Sequence, residues 1–220
     1  MKKAKKVVAL ALCAVMLVVG SVAGTMAYLS STTDVVTNTF TFGKVAITLD
    51  EADVDEYGVE IKDAERVTAN TYKLMPGHTY VKDPTVHVKG DSEPSYVRMQ
   101  VTVNGLDELK AAFPSAVSAD GTFLLQNFVD WNSDVWAYES YSNGVYEFRY
   151  NGVVTVPNGT DADAYYDLTP LFESITIPEA ASNADLDKLA ESFDIAVVAH
   201  AIQADGFDDA TEAWNAFDAK

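Results

Sequence analysis

Apolar and polar residues alternate in short runs along most of the chain, and turn residues interrupt the runs at close intervals. That rhythm predicts a string of short strands. The clearest is Tyr96 to Val103, where Val97, Met99, Val101 and Val103 share one face and Tyr96, Arg98, Gln100 and Thr102 the other. Thr39 to Leu49 reads as a strand whose phase shifts at Gly43. Phe40 and Phe42 alternate before the glycine and Val45, Ile47 and Leu49 after it, so Gly43 marks a bulge or bend. Thr71 to Leu74 reads as a short apolar edge stopped by Pro76-Gly77, and Thr79 to Lys89 as one extended stretch that Pro84 assigns to a sheet edge. Phe123 to Phe128, Val135 to Glu139, Val145 to Tyr150, Val153 to Val156 and Leu171 to Ile177 are further strands, with Asn143-Gly144 and Asn151-Gly152 as hairpin turns. Phe193 to Ile202 is apolar on both faces apart from Asp194 and His200, the pattern of a central strand or of one lying under a helix.

Helical spacing is confined to three short segments. Gly105 to Phe113 is closed by Pro114, Ala184 to Glu191 follows Asn183 as a cap, and Asp208 to Phe217 puts Ala210, Ala213, Trp214 and Phe217 on one face. The expectation is an all-β fold with minor helices, a β-sandwich or a barrel. No repeat or low-complexity block divides the chain, so residues 28–220 read as a single domain.

The first residues depart from this rhythm. Lys2, Lys3, Lys5 and Lys6 precede the unbroken apolar run Val7 to Val19 and the small residues around Gly20 to Gly24. This is the pattern of a secretory signal peptide forming an N-terminal signal helix. The run falls short of the ~20 residues of a spanning helix; its extension towards Leu29 leaves a retained anchor as the alternative. Thr25 and Ala27 supply small residues at the minus-three and minus-one positions, which places cleavage between Ala27 and Tyr28.

Charge sharpens the picture. The 220 residues hold 15 Lys+Arg and 33 Asp+Glu, a net charge of −18; losing the four signal lysines takes it to −22. Such a balance argues against a nucleic-acid partner and against docking on anionic lipid. The single cysteine, Cys13, lies inside the signal, so the processed chain has no disulfide, no thiol nucleophile and no cysteine metal site.

Candidate chemistry is sparse. His78, His87 and His200 do not form His-Glu-x-x-His, and a catalytic zinc needs about three converging ligands. His78 follows a turn and is expected to be exposed. His87 lies on the more polar face of its strand, and His200 reads as a hydrogen-bonded core histidine. There is no Gly-x-Ser-x-Gly elbow and no glycine-rich phosphate loop. Asp53-x-Asp55-x-Tyr57-Gly58 begins like a calcium loop, but Tyr57 and Ala64 stand at the fifth and twelfth loop positions, where ligands belong. It reads as a solvated acidic face, with weak, irregular calcium binding as the alternative. No catalytic residue, cofactor or metal is expected.

Three stretches together resemble one family. Gly24-Thr25-Met26-Ala27-Tyr28-Leu29, followed by Asn38-Thr39-Phe40-Thr41-Phe42-Gly43, resembles signal peptides handled by the SipW-type signal peptidase of Gram-positive bacteria. Leu74-Met75-Pro76-Gly77-His78-Thr79 with Lys82-Asp83-Pro84 resembles the Pro-Gly turn and following strand of TasA and camelysin-like proteins. Ala199-His200-Ala201-Ile202-Gln203-Ala204-Asp205-Gly206-Phe207 resembles their last core strand.

The resemblance implies a jelly-roll β-sandwich, secreted to the extracellular matrix or cell surface, that serves as a subunit of a biofilm-type fibre. Its partners would be signal peptidase during export and then copies of itself or related subunits. In TasA-like fibres the mature N-terminal segment leaves its own subunit and pairs with the next. Here Tyr28 to Phe42 is β-prone with one charge, Asp34, and Val36, Phe40 and Phe42 share the parity that would fill a groove in a neighbour. The alternative is a loose tail ahead of an ordinary first strand. Camelysin carries a metalloprotease label that no zinc signature supports here. A metal-dependent protease, and a monomeric surface adhesin or carbohydrate-binding module, remain the rival readings. Trp131, Trp136, Tyr138 and Tyr141 are read as core and cross-strand pairs, with a binding surface as the alternative.

Overall fold

The strongest alternating run becomes the centre of the largest sheet. In a computed structural model, which describes residues 44–177, 179, 186, 189 and 193–219, β4 (Ser95–Asn104) lies between β7 (Val145–Tyr150) and β10 (Asp194–Gln203), with β6 (Trp136–Ser142) beyond β7. A second sheet places β3 (Thr85–Lys89) between β1 (Ile47–Asp50) and β8 (Tyr165–Asp167). A third places β9 (Phe172–Thr176) between β2 (Thr79–Val81) and β5 (Val129–Trp131). Every pairing among these strands is antiparallel. The α-helices whose full bounds lie among the described residues are α1 (Leu106–Ala112) and α2 (Ala210–Asp218). The fold is all-β with few helices, as the pattern predicts.

The inward faces of all three sheets meet in one apolar cluster. Val97, Met99, Val101 and Val103 of β4 join Val86 and Val88 of β3, Tyr146 and Phe148 of β7, and Phe172 and Ile175 of β9. Burying each large side chain is worth about 1.5–3 kcal/mol, so this cluster is the dominant favourable term. The aromatic residues of β5, β6 and β7 pack as core and cross-strand pairs. Trp136 meets Tyr150 edge-on at 5.0 Å, Tyr138 meets Phe148 at 5.6 Å and Tyr141 meets Tyr146 at 4.6 Å. Buried Trp136 donates from Nε1 to the Thr169 carbonyl at 2.9 Å. The β6–β7 turn is Asn143-Gly144, with φ of 53° and 84°, the left-handed pair that a two-residue hairpin requires.

Several local expectations are corrected. Thr79 to Lys89 is two strands in different sheets, because Pro84 cannot continue a ladder; β3 is moreover a central strand, with Pro84 just outside it. Phe123 to Phe128 is not a strand: Leu125–Asn127 is a 3-10 turn, Phe123 makes a single bridge to Val117, and Phe123, Leu125 and Phe128 are buried. Thr71 to Leu74 forms no strand, although Tyr72 and Leu74 pack against the core. After Asn151-Gly152 the chain makes no hairpin; Val154 alone bridges back to Ser95. β8 had no apolar alternation to announce it. Of the helix expected over Ala184 to Glu191, Leu186 and Leu189 are helical and buried, and the rest lies outside the described residues.

α2 covers the outer face of β4 and β10 around Tyr96, Arg98, His200 and Ile202. Asp209 caps this helix by accepting from the Glu212 N–H at 2.9 Å, and Glu212 accepts from the Asp208 N–H at 2.7 Å, a close relative of the capping box. Ala213 and Trp214 are buried against Ile202, with Phe217 beside them. Beneath the helix, Arg98 is 2% exposed. Its guanidinium makes a two-pronged contact with Asp218 at 2.6 and 2.8 Å, reaches Glu147 at 3.1 Å, and lies 4.5 Å from the centre of the Trp214 ring. An arginine serves here because its flat face stacks while its edge pairs with carboxylates.

Candidate functional site

Two strand ends approach each other without pairing. Among the described residues β1 pairs with β3 alone and β10 with β4 alone, yet the two run close together. Between them is an open cleft of about 410 Å³. Leu49, Asp50 and Glu51 form one wall and Asp194 to Val197 the other; Thr68, Ala69, Asn70, Lys82 and Pro84 complete it. Ile195 and Val197 also pack against the core, while Ala196 and Val198, on the other face, are exposed. The outer edge of a strand presents N–H and C=O groups that can template another strand. The expectation of β10 as a central strand is therefore corrected: among the described residues it is an edge strand, and it is the alternative, a strand under a helix, that holds.

The β1 side of the cleft is highly polar. Glu51 Oε2 receives Lys82 Nζ at 2.7 Å, and Glu51 Oε1 receives Asn70 Nδ2 at 3.2 Å. Asn70 Nδ2 also donates to the Ala52 carbonyl at 2.8 Å, while its Oδ1 accepts from the Val54 N–H at 3.2 Å. Arg66 pairs with Asp50 and reaches Asp83 Oδ2 at 2.9 Å and Thr85 Oγ1 at 3.0 Å. Asp83 Oδ1 in turn accepts from the Ala52 N–H at 2.6 Å. Long-range polar contacts thus shape the loop between β1 and β2, which contributes little to the apolar core.

His87 ties the second sheet together across all three strands. Its Nε2 lies 2.7 Å from Asp50 of β1 and its Nδ1 2.6 Å from Asp167 of β8. Burial alone would lower its pKa, but the hydrogen bonds to Asp167 and Asp50 outweigh that and hold it above the usual histidine value. The expected polar face is observed, but as an enclosed one. His78 is half-buried rather than exposed, with Nε2 2.6 Å from the Tyr57 carbonyl oxygen. His200 lies under α2 against Phe217, and its Nδ1 finds no hydrogen-bond partner among the described residues, which corrects the expectation of a hydrogen-bonded core histidine. Burial, then the Arg98 charge, depress its pKa.

The three histidines therefore sit on separate parts of the molecule. Among the described residues no three His, Cys, Asp or Glu side chains converge to hold a metal ion. In the acidic loop, Asp55 Oδ1 is occupied by the Tyr57 and Val59 N–H groups at 2.9 and 3.0 Å. The cleavage residues Ala27 and Tyr28 and the donor residues Val36, Phe40 and Phe42 lie outside the described residues. Sequence reasoning gave no site role to Glu51, Arg66, Asn70 or Lys82, since their partners lie between 16 and 31 residues away. The one local signal was polar residues flanking β1 and Pro84. No family model, curated protein or solved structure matches the chain.

Proposed function

We propose that this protein is an exported, non-enzymatic structural subunit of a biofilm-matrix or cell-surface fibre, with a jelly-roll β-sandwich body. The observation that carries the reading is the cleft between β1 and β10, two strand edges without a strand between them among the described residues. A slot of this kind suits an extended segment: backbone hydrogen bonds give affinity and alternate side chains give specificity. The segment Tyr28 to Phe42 carries a single charge, and Val36, Phe40 and Phe42 would turn to one face. Donated to the next subunit, it makes a head-to-tail contact that does not close on itself and so yields a filament. Of the acids lining the slot, Asp50 is paired with Arg66, Glu51 with Lys82, and Asp194 accepts from Asn104, so a nearly uncharged strand suits a lining whose charges are already matched.

The test is deletion of residues 28–38 from the processed chain, followed by sedimentation and electron microscopy beside the intact form. Filaments from the intact chain and none from the truncated one are expected. Identical filaments from both, or an intact chain that stays monomeric at high concentration, acid pH and high salt, refute strand donation. Casein cleavage that a chelator abolishes would refute the non-enzymatic reading and favour the protease.

A further inference from the structure

The geometry points to a self-catalysed amide cross-link between the side chains of Lys82 and Asn70, with Glu51 as the proton carrier. It is independent of fibre assembly. One carboxylate holds both reacting side chains: Oε2 contacts the Lys82 amine at 2.7 Å and Oε1 the Asn70 amide nitrogen at 3.2 Å. Glu51 is 6% exposed and Lys82 8% exposed, so both are largely buried even though they line the open cleft. The Asn70 carbonyl oxygen already accepts from the Val54 N–H at 3.2 Å, a donor placed where negative charge would grow during attack. Nucleophile and electrophile thus share the carboxylate that would carry the proton, and the electrophile's oxygen already has its donor.

Neighbouring groups leave this set intact. Arg66, the nearby cation, is engaged by Asp50, Asp83 and Thr85. The Tyr72 hydroxyl donates to the Val81 carbonyl at 3.1 Å, and burial, then the Glu51 charge, push its pKa far up, so it does not give its proton to Glu51.

The chemistry balances without an oxidant or a cofactor. The Lys82 ammonium passes one proton to Glu51, and the amine lone pair forms a bond to Asn70 Cγ. The Asn70 Oδ1 oxyanion is held by the Val54 N–H. A second amine proton moves through Glu51 to Nδ2, the Cγ–Nδ2 bond breaks, and its electron pair leaves on ammonia. Ammonia takes up the first proton and departs through the cleft as ammonium. A lysine charge is exchanged for an ammonium ion, and nothing is oxidised or reduced. The product ties the loop after β1 to the β2–β3 link, in a chain whose one cysteine is Cys13.

Intact-mass measurement of the full purified protein under denaturing conditions tests the cross-link, after correction for any N-terminal processing. The expected mass is about 17 Da below that of the sequence, the ammonia lost when the lysine amine displaces the amide nitrogen. Trypsin should release residues 67–73 covalently joined to residues 74–89, with Lys82 uncut. Lys82→Arg and Glu51→Gln are expected to keep the full mass. An unshifted wild-type mass overturns the proposal. So does a loss that survives in Lys82→Arg, because succinimides at Asn-Gly steps such as Asn143-Gly144 shed the same mass. A cross-link that persists in Glu51→Gln overturns the proton-carrier role. Should either variant fail to fold, the wild-type mass and the presence or absence of the joined peptides still distinguish a cross-linked chain from an open one.

Discussion

His87 is a charge clamp placed where three strands meet. Its pKa is raised in the folded chain, so its contribution is fully present below the unfolded value of about 6.5 and is lost as pH rises through the raised value. The stability difference between wild type and His87→Ala, read from urea unfolding, should therefore be larger near pH 6 than near pH 9. His200 works in the opposite direction: its pKa is depressed, so its contribution holds above about 6.5 and is lost as pH falls through the lowered value. Comparing each single variant with wild type separates the two. Gly58 makes a steric prediction. Its φ is +74°, and a Cβ there would lie 2.8 Å from the Tyr80 backbone Cα. Gly58→Ala should lower stability by about 1–3 kcal/mol, measured by thermal or urea unfolding, because strain and a backbone clash act together.

At the scale of elements, α2 is attached by one face and one cap. Trp214 and Ala213 are buried, Arg98 stacks beneath them, and Asp209 holds the first turn. Asp209→Ala should cost about 1 kcal/mol. Hydrogen exchange should show the loss locally, with faster exchange in α2 and unchanged protection in the centre of β4, since helix ends open below the global unfolding energy. The Arg98–Asp218 pair contributes less than its short distances suggest, because the Asp218 side chain is 55% exposed and solvent screens it.

At the scale of the whole molecule, charge dominates association. A chain at −18, or −22 without its first lysines, repels its copies. Screening acts over about 8 Å at physiological salt and shorter distances above it, so self-association of the intact chain should rise with ionic strength and with acidification towards the isoelectric point near 4.3. Sedimentation velocity across a salt and pH series measures this. Association that falls as salt is added would show that ion pairs, rather than apolar contacts, bring copies of the chain together.

The linear pattern was enough for elements whose cause is local. Alternation in Tyr96 to Val103 has one low-energy burial, so β4 was legible; so were the Asn143-Gly144 hairpin, set by two left-handed residues, and the apolar stripe of α2. Phe123 to Phe128 misled because buried aromatics look alike in a strand and in a packed turn. Thr79 to Lys89 misled because a proline marks a break without saying that the chain changes sheets there. Whether β10 is central or at an edge depends on which strand lies beside it, a fact that its own residues do not contain. The same holds for the Glu51–Asn70–Lys82 site and the His87 clamp. Polar side chains carry no periodic signal, and only the folding of distant segments onto one another brings their charges within hydrogen-bonding distance.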